Sequence, residues 1–187
     1  MPTFFTADTH FGHARIIEMC GRPFRSIEEH DAALVAAWNR RVTAKDRVWF
    51  LGDFGKGSTE HLLKIFRKLN GSTHLVRGNH DAPGIAAWPW ASVHDIANIN
   101  VDGQRLVLCH YPIASWAGAH GGAVHLHGHA HGRLRVPGLA CDVGVDVWDY
   151  RPVTLAEIML RLERREGLVA EPSDAGFCND PGEGGPR

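Results

Sequence analysis

Five short segments of the chain carry side chains that could assemble a reactive centre. They are Asp8 and His10 in "DTH", Asp53 in "GD", Asn79 and His80 in "GNHD", His110 in "HYP", and His129 and His131 in "GHAH". Carboxylate, imidazole and carboxamide donors without thiolate suit borderline divalent metals such as Mn, Fe, Co, Ni or Zn rather than a soft thiolate site. The set is large enough for two ions of about four protein ligands each, provided one carboxylate bridges them, and ions about 3.5–4 Å apart are a recurrent device for in-line displacement at phosphorus. The chain holds 13 histidines in all. Four of them, His125, His127, His129 and His131, alternate in "VHLHGHAH", and regular strand geometry would place all four on one face.

Such groups act together only if the fold delivers them to one place. "TFFTA" reads as a buried strand running into "DTHFGH". "SIEEHDAALVAAWNRRV" reads as a helix with Ser26 as N-cap and Glu29 three residues on. "RVWFL" is a strand closed by "GDFGKG", "TEHLLKIFRKL" a helix, and "THLV" a strand running into "RGNHD". This strand–helix alternation predicts an α/β sheet with parallel strands. In the second half, "SVHDIANINV" and "QRLVLCHY" flank the hairpin signal Asp102-Gly103, and "AVHLHGHAH" and "LACDVGV" are further strands. "TLAEIMLRLERREG" is a closing helix with a Thr154/Glu157 capping box. Each chemistry-bearing segment thus follows a strand, and ligands of open α/β sheets gather beyond the carboxyl ends of strands.

The 187 residues fit one domain, expected over 1–170, with the Pro/Gly-rich, acidic stretch 171–187 expected as a disordered tail. A formal net charge of −1 gives no global electrostatic support for nucleic-acid or anionic-membrane binding. No apolar run approaches the roughly 20 residues of a membrane span. Cys20, Cys109, Cys141 and Cys178 form no C-x-x-C pair, and the first residues show no signal-peptide pattern, so the expected setting is reducing and cytoplasmic.

The ordered set D-x-H, G-D, G-N-H-D, His before an aromatic and Pro, and G-H-x-H resembles the calcineurin-like metallophosphoesterase superfamily, across residues 8 to 131. "DTHFGH" is similar to a small bacterial and phage-type branch of it. The resemblance implies a four-layer α/β/β/α sandwich of two mixed β-sheets with flanking helices. It also implies a cofactor of two divalent metal ions, with Mn first and Fe, Ni, Co or Zn as substitutes. Asp8, His10 and His131 would hold one ion, Asn79, His110 and His129 the other, and Asp53 would bridge them. His80 would face the substrate phosphate as general acid or electrostatic stabiliser, while a metal-activated water attacks phosphorus in line. The implied activity is that of a phosphodiesterase or small-molecule phosphatase with a phosphoester substrate such as a nucleotide. Alternatives are a dinucleoside polyphosphate hydrolase and a catalytically silent interaction scaffold. After "GD" the chain reads "FGKG" where the superfamily's protein phosphatases carry "xxDRG", which argues against that substrate class.

Other residues keep two readings. His13 of "DTHFGH" is either a substrate-side histidine or an exposed loop residue. Arg22 of "GRPF" is either a bidentate fork for phosphate oxygens or a surface arginine before a turn proline. His125 and His127 are expected to support the strand rather than bind metal, with Gly128 freeing the chain to aim His129 and His131 at different ions. Trp116, in a glycine-rich loop between ligand segments, is the tryptophan placed to stack on a substrate.

Overall fold

The computed structural model describes residues 1–167, so the expected tail 171–187 lies outside the described residues. The elements in chain order are β1 (Thr3–Thr6), α1 (Arg15–Cys20), α2 (Ile27–Arg41), β2 (Arg47–Phe50), α3 (Thr59–Phe66), β3 (Ser72–Val76), β4 (Ser92–His94), β5 (Ile96–Val101), β6 (Gln104–Cys109), β7 (Val124–His127), β8 (Ala140–Asp142), β9 (Val153–Thr154) and α4 (Leu155–Gly167). One sheet has the order β4-β3-β2-β1-β9, parallel except for β9. The other has the order β5-β6-β7-β8, with β5 antiparallel to β6 and the rest parallel.

Side-chain alternation divides the apolar residues into two layers. Phe5, Trp49, Leu51 and Val76 from the first sheet meet Leu106, Leu108, Val124 and Leu126 from the second. On the first sheet's other face, Phe4, Val48, Phe50 and Leu75 pack with Leu34 and Trp38 of α2 and Leu62, Ile65 and Phe66 of α3. Ser26 caps α2 as expected, its hydroxyl accepting from the Glu29 amide at 3.2 Å. Helix α3 stops at Phe66, short of the expected Leu69, because the chain tightens into turns from Lys68 to Ile65 and Leu69 to Phe66.

Two sheets with flanking helices are as expected, but the layers differ in detail. On the second sheet's outer face the 110–123 loop packs Trp116 on His125 with ring centroids 5.3 Å apart. Helix α4 inserts Leu155, Ile158 and Leu162 into the layer between the sheets. "SVHDIANINV" is two strands rather than one: β4 closes the first sheet and β5 opens the second. The chain crosses over at Asp95, whose carboxylate is forked by Arg77 at 2.9 and 2.7 Å.

The α4 cap shows how a boundary is held. The Glu157 carboxylate accepts from the Thr154 amide at 2.9 Å, from Arg151 at 2.8 Å and from Arg41 at 2.6 Å. Burial raises its pKa, but these donors outweigh burial and hold it at about 2, against an ordinary 4.5. Its contribution is therefore present above pH 4.5 and lost as the pH falls toward 2. Glu157→Ala should lower the unfolding free energy by about 1–2 kcal/mol at neutral pH, read from the urea midpoint. An unchanged midpoint would show that the cap contributes nothing.

Candidate metal centre

All the sequence-singled ligands emerge at one edge, where the strands of both sheets end. Asp8 and His10 follow β1, Asp53 follows β2, Asn79 and His80 follow β3, His110 follows β6, and His129 and His131 follow β7. One backbone bond laces the two sheets here, Val145 N to Ala7 O at 3.0 Å, and within the second sheet Gly128 N donates to His110 O at 3.0 Å. Five of the residues adopt left-handed backbone: Asp8 (φ 58°), His10 (50°), Asp53 (60°), His129 (67°) and His131 (49°). Non-glycine residues hold such conformations at a cost, and they cluster where surrounding structure enforces them at functional sites.

The role expected for Gly128 is corrected by this geometry. The left-handed turns fall on His129 and His131 themselves, while Gly128 serves close approach. A Cβ there would sit 2.6 Å from Ala7 Cβ and 2.7 Å from Asp8 Oδ2.

The side chains form two clusters. Ligand atoms of Asp8, His10 and His131 lie within 4.8 Å of one another, and so do those of Asp53, His110 and His129. Asp53 stands between them, Oδ2 being 3.5 Å from His10 Nε2 and 3.5 Å from His110 Nε2. His110 Nδ1 donates to Leu51 O at 2.7 Å, which turns Nε2 toward Asp53 and toward Asn79 Oδ1 at 3.1 Å. Both Asp8 oxygens accept from the His129 amide, at 3.1 and 2.9 Å. His10 Nε2 is buried without a hydrogen-bond partner among the described residues.

An orphaned imidazole nitrogen aimed into a nest of carboxylates costs free energy unless a ligand satisfies it. The all-nitrogen-and-oxygen donor set fits a divalent cation at that point. The electrostatics agree. Burial pushes the Asp8 carboxyl up to about 7, with His110 and His131 opposing only in part, and burial pushes His10 down to about 3. At Asp53 burial opposes ionisation, yet the hydrogen bond and charge of His110 prevail and hold its carboxyl at about 2. His110 is raised to about 8, Asp53 and Asp8 outweighing its burial. A cation would supply the positive charge that buried Asp8 now replaces by holding a proton.

Among the remaining sequence candidates, His80 is exposed with its ring 5.5 Å from that of His10, and its amide donates to Asp53 Oδ1 at 2.8 Å. His13 is half-buried beside it, ring centroids 6.4 Å apart, with Nδ1 3.5 Å from His10 Nδ1. Neither expectation for Arg22 survives. The residue is 3% exposed and lies beneath the candidate ligands, so its fork cannot meet a substrate phosphate. Its Nε and one Nη grip Asp146 at 2.8 and 2.7 Å, and its other bonds go to the Asp8 and Thr9 carbonyls and His30. His125 is satisfied within the second sheet, bonded to Val107 O at 3.1 Å and accepting from the Ile113 amide at 3.3 Å. Burial lowers its pKa to about 4. His127 is buried next to it. Trp116 bonds Ala123 O at 2.8 Å and packs on His125, away from the ligand clusters.

Three further acids, without a motif role in the sequence, hold this edge. Asp81 accepts from the amides of Asp53, Phe54 and Gly78 at 2.8–3.0 Å. Asp142 accepts from Gly132 and Gly144 at 2.9 and 2.7 Å, and Asp146 accepts from His131 Nδ1 at 2.7 Å. Asp81 was visible as the last letter of "GNHD". The other two had no signal beyond two acids closing the strand "CDVGVD".

Residues 1–137 match the model of the calcineurin-like phosphoesterase superfamily domain, a span that contains every candidate ligand. MJ1445 of Methanocaldococcus jannaschii is 33% identical over 169 residues, covering 86% of this chain and 91% of that protein. The gene 66 protein of Mycobacterium phage L5 is 30% identical over 181 residues, covering 78% of this chain and 87% of that one. The solved structure of AQ665 from Aquifex aeolicus shares the fold at a TM-score of 0.69 and 23% identity, over 86% of this chain and 98% of that one. With the family's motifs present in order and its fold around them, the chain belongs to the calcineurin-like phosphoesterase superfamily and is a metal-dependent hydrolase of phosphoric esters.

Proposed function

We propose that the enzyme is a dinuclear phosphoester hydrolase acting on diesters or small phosphomonoesters, nucleotides among them. The observation that carries this reading is the placement of Asp53 Oδ2 at 3.5 Å from both His10 Nε2 and His110 Nε2, one carboxylate shared by two clusters. Asp8, His10 and His131 would hold one ion, and Asn79, His110 and His129 the other, with Mn the first choice of metal. Two such ions would supply Lewis-acid polarisation of the phosphoryl group and activation of a water.

The chain's own residues supply the rest. His80, exposed at the rim, is placed to hold a proton against the leaving oxygen, with its backbone fixed by Asp53. His13, its ring 6.4 Å from that of His80, would form the adjacent wall of the phosphate site. A net charge of −1 favours a compact substrate over a nucleic-acid duplex. Mn-loaded enzyme should hydrolyse bis-p-nitrophenyl phosphate or p-nitrophenyl phosphate, and absence of activity on both would overturn the proposal.

Metal affinity should depend on pH with a definite sign. In the metal-free fold the Asp8 carboxyl titrates at about 7 and His110 at about 8, so both carry protons at pH 6 that an ion must displace. Apparent affinity for Mn should therefore rise from pH 6 to 8.5, with proton release detectable by calorimetry in buffers of different ionisation enthalpy. Affinity independent of pH would contradict the ligand assignment.

A further inference from the structure

The buried environment of Arg22 is built to a degree that a structural filler does not need. All five guanidinium N–H groups are engaged: Nε with Asp146 Oδ1 (2.8 Å), Nη2 with Asp146 Oδ2 (2.7 Å) and Asp8 O (2.8 Å), Nη1 with Thr9 O (3.0 Å) and His30 Nε2 (2.8 Å). His30 Nδ1 donates to Asp31 Oδ1 at 2.8 Å, which leaves its Nε2 as the acceptor that Arg22 requires. Asp31 in turn receives the Gly12 amide, at 3.3 and 3.1 Å, in the loop between His10 and His13. At the other end, Asp146 Oδ2 receives both Arg22 and His131 Nδ1, each at 2.7 Å. The side chains of Arg22 and His30 are 0% exposed and that of Asp146 is 9% exposed.

We infer that Arg22 and Asp146 are positioning residues for the ion held by Asp8, His10 and His131. This inference rests on the dinuclear reading above. The Asp146 carboxylate selects the His131 tautomer with Nδ1–H and so leaves Nε2 free to face Asp8 and His10. Arg22 holds that carboxylate in orientation through two bonds while its Nη groups pin the carbonyls of Asp8 and Thr9, the residues that lead into the left-handed turn at His10. A lysine, with donors radiating from one atom, cannot span both Asp146 oxygens and two carbonyls. Asp146 lies beyond the 1–137 span that matches the family domain, so this support is supplied by the following segment, between β8 and β9.

The test is stepwise calorimetric titration of metal-free wild type, Arg22→Lys, Asp146→Asn and the double variant with Mn(II), alongside electron paramagnetic resonance of the spin-coupled ion pair. One binding step should weaken about 10–100-fold in each single variant while the other is unchanged, with the pair signal replaced by that of an isolated ion. The double variant should lose little more than either single one, because the two residues act in series. Arg77→Lys, altering an exposed pair with Asp95, should bind like wild type. Folded variants that keep both binding steps would overturn the inference, as would equal weakening of both steps with a lowered melting temperature. If Asp146→Asn does not fold, Arg22→Lys alone decides the matter. Failure of wild type to bind any Mn would refute the dinuclear reading instead, and the two failures are told apart by that control.

Discussion

Asp53→Asn should leave a folded protein that no longer holds its metals and no longer turns over. The substitution keeps an oxygen to accept the His80 amide, now at 2.8 Å from Oδ1, so the local backbone has no reason to move. What it removes is the negative oxygen 3.5 Å from both His10 Nε2 and His110 Nε2. An amide nitrogen in its place would offer N–H groups to those two nitrogens, which is the opposite of what a bridged ion pair needs. Affinity for the more weakly held ion should fall by at least about a hundredfold and activity with it. The metal-free variant should melt within a few degrees of the wild type. Asp102→Asn, in the exposed β5–β6 turn, should bind and turn over normally. Retained activity in Asp53→Asn would mean that the carboxylate bridges nothing.

His80→Ala should separate chemistry from metal loading. His80 is exposed and lies on no cluster of converging ligand atoms, with its ring 5.5 Å from His10 and 6.4 Å from His13. Metal content should stay at the wild-type level while turnover falls about 10²–10⁴-fold on substrates with poor leaving groups. The loss should shrink for p-nitrophenolate, which departs without a proton. Loss of bound metal in parallel with activity would instead make His80 a ligand, and an equal loss on good and poor leaving groups would remove its role as acid.

How far these groups could be read from sequence depends on the kind of constraint each obeys. Donor types at strand ends follow from local pattern, so Asp8, His10, Asp53, Asn79, His110, His129 and His131 were legible before their convergence was. The left-handed backbone at Asp8, His10, Asp53, His129 and His131 was not legible, because nothing in an aspartate or histidine announces a positive φ that tertiary contacts impose. Arg22 failed for a related reason. An arginine before "PF" looks like surface, and only the arrival of Asp146 from 124 residues away turns it inward. The break at Asp95 is a tertiary decision too: ten strand-like residues serve two sheets because the chain must cross from one to the other. Helix α1 and the two-residue β9 are too short to leave a periodic signal. The caps at Ser26 and Thr154, by contrast, are local chemistry and are legible in the sequence as they stand in the fold.

A carboxylate shared by two ions would leave a direct crystallographic signature at Asp53. Anomalous diffraction from crystals grown with Mn(II) reads that signature. Two peaks about 3.5–4 Å apart are predicted, one among Asp8, His10 and His131, the other among Asn79, His110 and His129, with the Asp53 carboxylate touching both. A single peak, or a second one away from Asp53, would contradict that sharing.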